Sequence, residues 1–152
     1  MEAMPHTFIE AEDRYLDRVE NQRIDDILYL LVSRLTKISG EITFACIPSL
    51  GATYYLGLSN YLDKNHGAIG EEMYQVIKFL ENKHQFLDIL SSLEISTRVS
   101  VFIGEENILP ELESSTMIVK KIEINGYIGY LGILGSTKMD YAFNITALRQ
   151  VL

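Results

Sequence analysis

Asn125-Gly126 stands between two β-forming runs, Thr116–Ile124 and Tyr127–Leu134, and it constrains the fold more than any other pair in the chain. A two-residue type I′ turn needs positive φ at both central positions, which Asn and Gly tolerate, so the two runs are expected to pair as an antiparallel hairpin. A strand earlier in the chain fits the same sheet. Val99, Val101 and Ile103 alternate with Arg98, Ser100 and Phe102 up to Gly104, which is the period-two pattern of a strand. Glu41–Ile47 (EITFACI), closed by Pro48, and Thr53–Leu58 (TYYLGL) read as two more strands. Ser59–Leu62 and a polar loop, Asp63–Gly70, follow them.

Helical spacing fills the remainder. Residues 1–23 are polar and acidic with weakly apolar spacing, and read as a helical extension. Ile24, Ile27, Leu28, Leu31, Leu35 and Ile38 then recur at steps of three and four before Gly40. That is an amphipathic helix whose stripe must be covered by a sheet or by a second chain. Glu71–Glu81 and Lys83–Leu93 form two further helices broken at Asn82, and a last helix spans about Met139–Val151. The order α, β, β, α, α, β, hairpin, α predicts an α+β domain of residues 24–152. It is expected to carry a GAF-like antiparallel sheet of about five strands, with helices on one face.

Composition excludes several function classes. The 152 residues carry 13 Lys and Arg against 21 Asp and Glu, a net charge of −8. Such a surface lacks the clustered cations that displace counterions from nucleic acid, and Lys120-Lys121 is the only adjacent basic pair. Cys46 is alone, so no internal disulfide forms and a cysteine zinc site is not expected. The acidic start has no basic-then-apolar signal pattern, and a cytoplasmic location is expected.

No catalytic constellation emerges. His6, His66 and His84 have no metal-ligand spacing, and the adjacent carboxylates Asp25-Asp26, Glu71-Glu72 and Glu105-Glu106 diverge on regular structure. The stretch GILGSTKMDYAFNI (132–145) has glycines but no phosphate-binding fingerprint, because its lysine follows the threonine and no GxxxxGK precedes it. Its expected role is a strand-to-helix junction. Gly135 would supply a special turn conformation, Ser136 or Thr137 would cap the helix, Asp140 would lie in its first turn and Tyr141 would enter the core. Neither an enzyme nor a cofactor is expected.

Four segments in order resemble a known family. VFIGEEN (101–107) and GYLGILGSTKMDYAFNITAL (129–148) are similar to the C-terminal signature of HrcA, the bacterial heat-inducible transcription repressor. YLGLSNYL (55–62) and LVSRLTKISGEITFA (31–45) resemble two further family segments. The match falls on Gly104, Glu105, Glu106 and Asn107, then Gly132, Gly135, Thr137, Met139, Asp140 and Tyr141. Ser136 stands where the family usually has proline, and Lys138 where it has arginine.

The resemblance implies a regulatory and oligomerising domain of a repressor of chaperone genes. It implies a homodimer, support from a GroE-type chaperonin, and DNA contact only through a winged-helix head that these residues do not resemble. The family's inserted dimerising domain is also expected to be missing, since few residues join Ile47 to Tyr54. A GAF-like sensor of small molecules is the alternative, and it requires a pocket of several hundred cubic ångströms with convergent polar groups.

Overall fold

The computed structural model describes residues 10–64, 70–104 and 114–151. Helix α1 (Glu10–Ser39) runs unbroken for 30 residues and stops where Gly40 takes φ +67°. Strand β1 (Ile42–Ile47) follows, and Pro48 ends it in a single 3-10 turn, Pro48–Leu50, that leads directly into β2 (Ala52–Leu56). Helix α2 (Leu58–Lys64), helix α3 (Glu71–Glu81) and helix α4 (Lys83–Ser92) come next. Strand β3 (Ser100–Ile103), strand β4 (Ser115–Ile124), strand β5 (Tyr127–Ser136) and helix α5 (Tyr141–Gln150) complete the order.

The five strands form one antiparallel sheet in the order β2-β1-β5-β4-β3. This is the α+β, GAF-like architecture expected from the sequence. The hairpin turns as its chemistry requires, with Asn125 at φ 52° and Gly126 at φ 86°. The pairs Ile124↔Tyr127 through Ser115↔Ser136 follow without a slip.

Two local expectations change. Strand β2 ends at Leu56 rather than Leu58, because Gly57 turns the chain at φ +100°. A side chain there would strike the Glu41 carbonyl and come within 3.0 Å of Ile42 Cα. The residues beyond it, to which the sequence pattern assigns no helix, form α2. Asn82 is both the break between α3 and α4 and the cap of the latter, its side chain accepting from Gln85 N at 3.3 Å.

Helices cover both faces of the sheet, not one. On one face Ile24, Leu28, Leu31, Val32 and Leu35 of α1, with Ala147 and Leu148 of α5, pack on Ala45, Ile47, Ile118, Ile122, Leu131 and Ile133. On the other, Phe79, Leu80, Phe86 and Leu90 of α3 and α4, with Tyr61 of α2, pack on Ile42, Phe44, Cys46, Met117, Val119 and Leu134. The physical reason lies in β1, where all six residues are buried. A strand that alternates between two apolar layers reads as a continuous hydrophobic run. Phe44, Phe86 and Phe79 form a chain of edge-to-face contacts, with centroids 5.1 and 5.0 Å apart. Each such buried ring contributes about 1.5–3 kcal/mol.

Candidate functional site

The junction quoted above lies at one end of the sheet. Ile103 pairs with Thr116 and Thr116 with Gly135, so the end of β3 and the end of β5 share one row. Gly104, buried at φ +56°, therefore leaves the sheet at the same end as the turn Ser136–Asp140. Glu105, Glu106 and Asn107 lie outside the described residues.

Three local roles differ from the sequence expectation. Gly135 belongs to β5 and has no positive φ; glycine is needed for space, since a Cβ would collide with Met139 Cε and approach Glu41 Oε1 to 3.3 Å. Asp140 itself caps α5, its Oδ1 accepting from Phe143 N at 3.1 Å, while Ser136 Oγ accepts from Lys138 N at 2.9 Å and shapes the turn. Tyr141 is only half-buried, and its hydroxyl donates to the Thr137 carbonyl at 2.5 Å. Thr137 and Lys138 are exposed, and Met139 is buried. Gly132 sits opposite Phe44, leaving room for its ring.

Met139, Asp140 and Lys138 border a cavity of about 430 Å³ that sequence reasoning missed. Its floor joins residues from opposite ends of the chain. Asn144, 1% exposed, donates from Nδ2 to Glu41 Oε2 and to Met139 Sδ, both at 3.3 Å. Glu41 is 9% exposed. Asn144 Oδ1 is buried with no hydrogen-bond partner. The available signal was a polar residue on the buried stripe of α5, between Tyr141 and Leu148. Ser39, Tyr61 and Phe143 also line the space.

A larger cavity, about 780 Å³, opens between the 3-10 turn, α4 and the hairpin tip. Its polar groups, Lys83, His84 and Asp88, are all exposed, so water already solvates them. His6 and His66 lie outside the described residues. Among the described residues no group of three His, Cys, Asp or Glu is placed to hold a metal. The basic pair is divided by strand alternation: Lys120 is buried, with its pKa lowered by desolvation, while Lys121 is half-buried. No helix among the described residues is long and apolar enough to cross a membrane.

Fold and site together define a small α+β domain with a polar cavity where the sheet meets its last helix. The profile of the HrcA protein C terminal domain matches residues 3–145, and the chain belongs to that family. A heat-inducible transcription repressor HrcA of Agrobacterium fabrum is 35% identical over 99 residues, covering 61% of this chain and 26% of that protein. The protein of the same name from Syntrophobacter fumaroxidans is 26% identical over 135 residues, covering 88% and 38%. The chain thus spans well under half the length of these relatives. A crystal structure titled only as a hypothetical protein has a TM-score of 0.52 at 24% identity, covering 65% of this chain and 29% of that one, and shares the fold.

Proposed function

We propose that this chain is the regulatory and oligomerising domain of a heat-inducible repressor of chaperone genes, acting by binding rather than by catalysis. The observation that carries this reading is the family match over residues 3–145. The domain does not contact the operator itself, in keeping with its net charge of −8. That contact falls to a winged-helix module, while this domain self-associates as a homodimer in the cytoplasm and receives the signal, with a GroE-type chaperonin as partner. The motif residues Gly104, Glu105, Glu106, Asn107, Gly132, Gly135, Thr137, Lys138, Met139, Asp140 and Tyr141 then have a structural or a regulatory role.

Deleting the gene that encodes the chain tests the reading. Chaperone transcripts should rise several-fold at the ordinary growth temperature, and unchanged transcripts would overturn it. In a mobility-shift assay the 152-residue chain should leave operator DNA unshifted. Sedimentation equilibrium should give twice the chain mass, and a monomer at micromolar concentration would remove the oligomerising role.

A further inference from the structure

The cations of this acidic chain are scattered in sequence, but three of them meet in the fold. Lys120 lies on β4 between Ile118 and Ile122, so strand alternation turns it to the face covered by α1 and α5. Arg98 is brought beside it by the segment that leads into β3. The Ser96 carbonyl accepts from Lys121 N at 2.8 Å, the Ser96 hydroxyl accepts from Arg98 N at 3.1 Å, and Ser100 then pairs with Val119. Arg149 comes from the last turn of α5, directly after Leu148, which packs on the same face. All three cations line one cavity of about 510 Å³, together with Thr97 and Val99.

The chain as a whole has the opposite balance. Acids outnumber bases by 21 to 13, but among the described residues no carboxylate lines this cavity. Like charges that share a cavity repel one another, and a multiply charged anion turns that repulsion into attraction. Lys120 is 6% exposed and has an interaction within the fold, so it contributes a positive charge held in place. Arg98 and Arg149 are exposed, which leaves their guanidinium groups room to turn to a ligand. Such forks match the oxygens of a phosphate two at a time, and the exposed Thr97 adds a hydroxyl donor.

We propose that the cavity between β4, the chain before β3 and the end of α5 binds a small anion carrying two or more negative charges on phosphate groups. The volume suits a diphosphate or a compact phosphate ester. A lone carboxylate, with one charge, answers the site less well. The proposal concerns the chain itself and holds whether or not the repressor reading does.

Titration calorimetry of the whole chain with inorganic pyrophosphate in magnesium-free buffer tests it, with acetate as the comparison. The expected result is saturable 1:1 binding of pyrophosphate, weakened at least about tenfold in Arg98→Glu and in Arg149→Glu. Lys37→Glu makes the same change in net charge at an exposed position on α1, and should weaken binding less than about twofold because solvent and salt screen it. The absence of saturable binding at millimolar pyrophosphate would overturn the proposal. So would equal binding of acetate, or a loss in Lys37→Glu as large as in the arginine variants, which would mean a response to net charge alone. Circular dichroism checks that the variants fold. Should the charge reversals unfold the chain, Arg98→Gln and Arg149→Gln decide, and affinity unchanged in both overturns the site.

Discussion

The hydroxyl of Tyr141 closes the turn before α5 by donating to the backbone carbonyl of Thr137 at 2.5 Å. With its single proton committed there, the same oxygen accepts from Thr116 Oγ1, 3.1 Å away on β4. One hydroxyl therefore ties the turn to the sheet. Tyr141→Phe should keep the fold and lose about 1–3 kcal/mol, since two hydrogen bonds go at about 0.5–1.5 kcal/mol each. For a domain of this size each kcal/mol lowers Tm by about 2–4 °C. Calorimetry showing no change would mean that the turn is held by its backbone alone.

Leu31 decides what covers the long helix. The apolar stripe of α1 was open to either a sheet or a second chain, and the structure buries Leu31 to 6% exposure within its own core. Leu31→Asp should therefore fail to fold, because a carboxylate there is stripped of water with no partner. Leu30, 56% exposed on the other side of the helix, should tolerate Asp within about 0.5 kcal/mol. Circular dichroism separates the two cases, and a folded monomer from Leu31→Asp would contradict this packing. A folded Leu30→Asp variant that loses a dimer would place the interface on the outer face of α1.

Two glycines should fail for different reasons. Gly126→Ala meets no neighbour within 4 Å but must hold φ near +86°, which costs about 1–2 kcal/mol. Gly132→Ala has an ordinary φ, yet its Cβ would strike the Phe44 ring and lie 2.8 Å from the Ile118 carbonyl, a clash of about 1–3 kcal/mol. Phe44→Leu should therefore couple with Gly132→Ala in a double-mutant cycle and not with Gly126→Ala. Additive effects in both pairs would show that β5 shifts to make room.

The sequence was most legible where one local rule decided the outcome. Asn125-Gly126 specified the hairpin, and Ile24, Leu28, Leu31 and Leu35 specified the buried side of α1. It was less legible where neighbours decide. Leu58 continued an apolar strand pattern until the backbone at Gly57 turned it into α2. The second helical layer was written in ITFACI, six consecutive residues that a half-exposed strand would not contain, but a run that short fits several arrangements. Gly135 was misread because a strand glycine needed for space looks the same as one needed for a turn. The cavity floor was least legible, since Glu41 and Asn144 are 103 residues apart and no local pattern pairs them.

Cys46 gives a test in pH. It lies on β1 beside Tyr130 of β5, and burial pushes its thiol up to about 12 from 9.0, with a backbone hydrogen bond from Tyr130 opposing. The folded protein thus holds a proton that the unfolded chain releases above pH 9. Between about pH 9 and 12 the unfolded state binds fewer protons, so stability falls as pH rises, and below pH 9 this contribution is fully present. Tyr130, also raised by burial and then by Cys46, acts in the same direction. Urea midpoints measured from pH 8 to 11 should decline in the parent chain, and more shallowly in Cys46→Ala, which starts lower because of the lost packing. At pH 8 a thiol reagent should react with Cys46 only as fast as the domain opens, because both the thiolate and the access are withheld. Rapid labelling of the folded chain would mean that β1 is not sealed between its two helical layers.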